Sequence, residues 1–278
     1  MHDLWTLRGV GIKPDQFPMI LGCDGAGVLE DGTEVVIYPV ISTPGWMGDE
    51  TLDPKRTLLT ENYQGTAAAV TVVPERNVIP KPADITFSEA ACLGTAWLTA
   101  YRMLFVKSGL RPGQTMLVQG ASGGVSTALI QLGSAAGFRV WVTGRSEEKR
   151  ALATELGAEQ TFPPGARLPE RVNGVFETVG RATWAHSLRS LQPGGIVVVS
   201  GATSGDATPA ELSRIFFLQM RVVGSTMGTR QELVDLVAFC VAKGIRPHIG
   251  LQLALADAAE GLEAIESGKT EGKIVLNL

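Results

Sequence analysis

The chain is poor in cysteine, with Cys23, Cys92 and Cys240 its only three in 278 residues, far apart and with no C-x-x-C pair. That gives no support to a disulfide framework and suits a reducing compartment, so a cytoplasmic location is expected. No apolar run approaches the roughly 20 residues of a membrane span. The opening "MHDLWTLRGVG" has no apolar signal-peptide core. No membrane partner is expected. Positive charge is in the minority, 24 Lys and Arg against 28 Asp and Glu, giving a formal net charge of −4. Such a balance argues against a nucleic-acid partner, which usually meets a basic face. Internal repeats and low-complexity tracts are also missing. What is present is ordinary for an α/β protein: 45% hydrophobic residues, 33 glycines and a chain long enough for two cores.

From residue 115 onward, apolar runs alternate with helical patterns. The runs are "TMLVQG" (115–120), "FRVWVTG" (138–144), "GVFETVG" (174–180), "GIVVVSG" (195–201) and "RVVGST" (221–226). Continuous apolar runs suit parallel strands covered on both faces. Between them, Val125, Leu129, Leu132 and Ala136 repeat at helical spacing, "SEEKRALATELGA" starts at Ser146 and stops at Gly157, and "RATWAHSLRSL" precedes Pro193-Gly194-Gly195. This alternation predicts a doubly wound parallel sheet. The weak link is the third strand: only "EQTF" (159–162) is available, and the proline-rich "PPGARLPER" follows where a helix would be expected. Residues 1–91 read differently. "GAGVLEDGTEVVIYPV" predicts strand, tight turn at Asp31-Gly32, strand, and "GTAAAVTVVPERNVIPKP" predicts two more short strands. The C-terminal part reads helix, strand, helix, strand.

The most telling stretch is "TMLVQGASGGVSTALIQL", a buried strand, a small-residue turn and a helix. Its segment Ala121-Ser122-Gly123-Gly124-Val125-Ser126 matches G-x-G-x-x-G at the middle glycine alone. Together with "ILGCDGAGV" (20–28), "LTAYRML" (98–104), "ATWAHSLRSLQPGG" (182–195), "SGATSG" (200–205), "GSTMGT" (224–229) and "EGKIV" (271–275), it resembles the medium-chain dehydrogenase/reductase superfamily, in its zinc-free quinone-oxidoreductase-like branch. The resemblance covers almost the whole chain. It implies a Rossmann nucleotide-binding domain, residues 99–229, inserted in a β-rich GroES-like catalytic domain, residues 1–98 plus 230–278, with the cofactor between them. Members of that family carry strands before the segment at which this chain opens, so the GroES-like domain is expected to be partial.

In that branch the phosphate loop is commonly A-x-x-G-G-V-x. Ala121 can replace the first glycine if the turn there needs no positive φ. Ser122, Gly123, Gly124 and Val125 then bring backbone close to a pyrophosphate at the helix N-terminus, and Ser126 takes the place of the third glycine. An NAD site places Asp or Glu at the end of the second strand. Here the strand runs into Thr143-Gly144-Arg145-Ser146, with Lys149 beyond. A guanidinium, an ammonium and a hydroxyl suit a ribose 2′-phosphate, which favours NADPH over NADH. The resemblance implies further cofactor contacts from Thr99 in "LTAY", Val179, Gly201, Ala202 and Lys273.

Zinc relatives carry a His-Glu pair where this chain has Cys23-Asp24, a cysteine ahead of it, and a third ligand before the Rossmann domain. Here no cysteine precedes Cys23, Cys92 falls a few residues early, and Ser42 to Gln64 contains none. Three protein ligands are not assembled, so no metal is expected. The expected enzyme is therefore an NADPH-dependent reductase of a quinone, enone or similar polarised double bond. Tyr63 is a candidate hydrogen-bond donor to substrate oxygen, and Thr99 a candidate at the nicotinamide ribose. His186 and His248 receive no role. Two other readings stay open: a nucleotide-binding protein with weak catalysis and a regulatory or redox-sensing role, and an enoyl-thioester reductase or alcohol dehydrogenase-like enzyme. A homodimer through the edge strand "RVVGST" is expected from the same resemblance.

Overall fold

A computed structural model describes residues His2 to Leu278. The chain opens with α1 (His2–Leu7), β1 (Ala26–Val28), β2 (Glu34–Ile37), β3 (Val40–Ile41), β4 (Thr57–Leu58), β5 (Val78–Pro80), α2 (Phe87–Ala90) and α3 (Leu98–Tyr101). It continues through β6 (Thr115–Gln119), α4 (Gly124–Ala135), β7 (Arg139–Thr143), α5 (Glu147–Glu155), β8 (Gln160–Phe162), β9 (Val172–Glu177), α6 (Trp184–Ser190), β10 (Leu191–Val199), α7 (Leu212–Phe217) and β11 (Arg221–Gly224). It ends with α8 (Arg230–Lys243), β12 (Ile249–Ala254), α9 (Ala258–Glu266) and β13 (Lys273–Asn277). Two compact units result: Thr99–Thr226, and the residues up to Leu98 together with Met227–Leu278.

The first unit is a Rossmann fold. Its six strands lie in the order β11-β10-β9-β6-β7-β8, and every pairing is parallel. All of β6 and most of β7 are buried, as runs without polar alternation require. Leu117 faces Trp141 on one side and Val175 on the other, and Val175 faces Val197, so one row of side chains crosses the sheet. These four pack with Val172, Leu188, Leu191 and Met220 in a single cluster. Helix α5 starts where Ser146 Oγ accepts the Lys149 amide, and Gly157, at φ +109°, follows its last turn. Strand order reverses between β6 and β9, so the ends of those two strands flank the switch point where such sheets bind ligands.

One irregular segment follows the sequence reading and another departs from it. No helix joins β8 to β9, because Pro163, Pro164 and Pro169 interrupt the connection. In the other unit only β5 forms from "GTAAAVTVVPERNVIPKP". Val70 and Val72 stand 80% and 81% exposed, and residues 66–73 form no strand. A strand pattern without a partner has nowhere to bury its apolar face. That unit does hold the antiparallel β1-β2-β5 sheet, with Gly32 at φ +88° in its first turn, the β3-β4 pair and the parallel β12-β13 pair.

Leu117→Ala should lower the unfolding free energy by about 3 kcal/mol. Val70→Ala should change it by less than about 0.5 kcal/mol. Urea denaturation of both variants checks the contrast.

Candidate functional site

At the end of β6 the chain turns on Gly120, whose φ is +88°, while Ala121 needs no positive φ. The strained position therefore falls one residue earlier, which is why alanine can follow it. A Cβ on Gly120 would stand 3.5 Å from Val179 Cγ2 and 3.6 Å from Ser126 Oγ. Ser126 is buried in the space left there and fits. Gly123 is the N-cap of α4, with φ −72° and ψ 156° and no side-chain cap. A Cβ on it would meet only Ser126 Oγ within 4 Å, at 3.9 Å. The first amides of α4 therefore have no side-chain cap, beside Ser122, Gly124 and Val125 on the same turn. These residues fit a dinucleotide pyrophosphate.

The end of β7 lies next to this loop. Arg145 is exposed, and Ser146 and Lys149 are half-buried on the first turn of α5. The Ser146 hydroxyl holds the Glu148 carboxyl below the ordinary range. Sequence reasoning missed Arg150. Its Nη1 donates to the Gly144 carbonyl at 2.8 Å. A Cβ on Gly144 would lie 2.8 Å from Arg150 Cγ and 3.1 Å from Ala121 Cβ, so the Arg150 stem crosses the strand end beside the phosphate loop. Helical side chains lean toward their own N-terminus, and an arginine four residues after a cap was the available signal. Thr143 is buried, and its hydroxyl donates to Gln119 Oε1 at 2.7 Å rather than facing outward.

The ends of β9 and β10 complete the group. Val179 is half-buried, and its amide donates to Glu177 Oε1 at 2.8 Å. A Cβ on Gly201 would meet the Thr178 carbonyl at 3.0 Å, and one on Gly180 would meet Ala202 Cα at 2.9 Å. The fold therefore gathers Ala121 to Val125, Thr143, Arg145, Ser146, Lys149, Val179, Gly201 and Ala202 at the carboxyl edge of one sheet. Thr99 is buried at the start of this unit. Tyr63 and Lys273 belong to the other unit. Tyr63 is exposed, and its carbonyl accepts the amide of Thr60 at 2.9 Å.

Lys273, expected among the cofactor contacts, ion-pairs its ammonium with Asp24 Oδ2. Their side chains are 19% and 12% exposed. Burial opposes the charge on Lys273, but Asp24, with Cys92 and Asp3, outweighs it and holds the amine above the usual lysine range. Cys23 lies buried beside the pair, and burial, reinforced by Asp24 and Asp3, pushes its thiol well up. Cys23 is thus a buried thiol beside a carboxylate already paired to an ammonium. Among the described residues no three His, Cys, Asp or Glu side chains converge as a ligand set.

A parallel sheet with a glycine turn and no side-chain cap at its switch point defines a Rossmann domain, the architecture that places a dinucleotide at those strand ends. The "Zinc-binding dehydrogenase" family model matches residues 124–242. The chain is 29% identical to a quinone oxidoreductase of Mus musculus over 298 residues, covering 99% of this chain and 85% of that one. It is 32% identical to a solved NAD-dependent alcohol dehydrogenase, with a TM-score of 0.92 over 99% of this chain and 88% of the other. A 2-octenoyl-CoA carboxylase reductase solved with NADP and 2-octenoyl-CoA is similar at 25% identity, with a TM-score of 0.87, over 93% of this chain and 68% of that one. The chain belongs to the medium-chain dehydrogenase/reductase superfamily.

Burial also pushes the Cys92 and Cys240 thiols up from the usual 9.0 to about 12. At pH 8 a disulfide reagent should modify none of the three thiols in the native protein and all three after unfolding. Because folding raises these pKa values, their contribution to stability is complete below pH 9.0 and is lost as pH rises toward about 12. Denaturation midpoints measured across that alkaline window should fall.

Proposed function

We propose that the protein is an NADPH-dependent reductase that delivers hydride to a quinone, enone or similar polarised double bond without zinc. The end of β7 carries this reading. Arg145, Lys149 and the Ser146 hydroxyl gather there, Arg150 adds a second guanidinium, and the strand closes on Thr143-Gly144 with no carboxylate. Cationic donors of this kind match a 2′-phosphate and leave a plain ribose 2′-OH without its usual acidic partner. Reduced nicotinamide, when bound, supplies hydride to the β-carbon of the acceptor. The amides of Ser122 to Val125 hold the pyrophosphate, and Thr99 meets the nicotinamide ribose. Tyr63 donates a hydrogen bond to the substrate oxygen as its negative charge grows. The α-carbon or the oxygen then takes a proton from water.

In this reading the residues up to Leu98 with Met227–Leu278 form the GroES-like catalytic domain, and the protein works as a cytoplasmic homodimer. A second reading, an enoyl-thioester reductase, is supported by the likeness to the 2-octenoyl-CoA carboxylase reductase. A panel of quinones, enones and enoyl thioesters with each nicotinamide cofactor separates the two.

Fluorescence titration should find NADPH bound more tightly than NADH. Arg145→Ala should weaken NADPH binding by about 1.5–3 kcal/mol, the scale of a charge-assisted contact, and leave NADH nearly unchanged. Equal affinities in the unsubstituted protein would refute the NADPH assignment.

Among the described residues strand β11 pairs with β10 alone, and Val222 on it is exposed, so an edge is available for a second copy. Light scattering should report a dimer at micromolar concentration. Val222→Pro removes a ladder donor and should shift the protein toward monomer.

A further inference from the structure

We propose that Gln119 is a positioning residue for the nucleotide site, acting through Thr143 on the first amide of the phosphate loop. The proposal rests on the dinucleotide reading above and adds to it a residue that touches no ligand. Gln119, Thr143 and Glu177 end β6, β7 and β9, and all three side chains are buried. Apolar residues would cover those positions at lower cost, since buried polar groups must be fully partnered.

The partners form one directed chain. The Gly120 amide donates to Thr143 Oγ1 at 3.3 Å, and the Thr143 hydroxyl donates to Gln119 Oε1 at 2.7 Å. Gln119 Nε2 donates to Ser187 Oγ at 3.0 Å and to His186 Nδ1 at 2.9 Å. The Ala166 carbonyl, 2.8 Å from His186 Nε2, can only accept, so Nε2 carries the imidazole proton and Nδ1 receives the Gln119 amide. Ser187 donates to Glu177 Oε2 at 2.6 Å, and Thr183 donates to both carboxylate oxygens at 2.9 Å. Glu177 Oε1 also accepts the amides of Val179 and Gly180, at 2.8 Å and 3.0 Å. The chain therefore begins at the phosphate loop and ends at the turn that presents Val179. A glutamine is suited to its centre because one amide offers an acceptor to β7 and two donors to α6.

Gly120 is the lever. Its positive φ steers the chain into the loop, so the direction of its N–H sets the aim of the amides that follow. With Thr143 Oγ1 in place that direction is held before any nucleotide arrives, which lowers the ordering cost of binding.

Dinucleotide titration of Thr143→Val, Thr143→Ser and Gln119→Leu tests this, with thermal melts as a check on folding. Thr143→Val should weaken NADPH binding roughly tenfold, the effect of one buried hydrogen bond, and Thr143→Ser should restore it to within roughly twofold. Gln119→Leu should match Thr143→Val, and the double variant should be no weaker than either alone, because both cut one chain. Additive losses, or a serine variant no better than valine, overturn the proposal. Amide hydrogen exchange on the unsubstituted protein gives a reading that needs no variant. The Gly120 amide should be protected without ligand, and exchange at open-loop rates overturns the proposal. If the unsubstituted protein binds neither NADPH nor NADH, the functional reading fails, while the exchange at Gly120 still decides whether the chain holds the loop.

Discussion

A parallel sheet packed on both faces leaves its backbone open to ligands at one place, the strand ends, and this chain gathers its glycine turns and buried polar side chains there. Leu117, Trp141, Val175 and Val197 fill a row across the sheet, so polar groups have no room in the middle of the strands. They collect instead in the last residue of β6, β7 and β9, as Gln119, Thr143 and Glu177. The loops that follow inherit their direction from those ends. Gly120 leaves β6 against Val179 and Ser126, and the turn after β9 packs against Gly201 and Ala202. The aim of the α4 N-terminus thus depends on a core laid down several residues earlier.

The two units handle buried charge differently. Glu177 is surrounded by hydroxyl and amide donors, so its desolvation is offset by hydrogen bonds rather than by a cation. Asp24 has a cation, Lys273, and its other oxygen, Oδ1, is buried without a hydrogen-bond partner among the described residues. Cys23 lies buried beside this pair, and burial, reinforced by Asp24 and Asp3, pushes its thiol up. An ammonium beside a carboxylate already balances the local charge, and a divalent ion would have to displace it.

Much of the fold was legible in the sequence because apolar runs and helix punctuation are local signals. The five long runs from residue 115 all became strands of the parallel sheet, and Ser146 and Gly157 bound α5 as their chemistry requires. Where a signal depended on a partner, it was less reliable. The alternation around Val70 and Val72 has the period of a strand, but no neighbour pairs with it.

What the sequence by itself determined was which residues could serve a nucleotide: a strand, a small-residue turn and a helix at 115–132, and a second strand that closes without an acid. Periodicity and turn preference act over a few residues, so they survive without the fold. Only the tertiary structure decided where side chains from distant segments spend their hydrogen bonds. It turned the Thr143 hydroxyl inward to Gln119, brought Arg150 back over Gly144, and committed Lys273 to Asp24, 249 positions away. Such choices depend on which strands become neighbours, and sheet order is set by long-range packing that no local pattern contains.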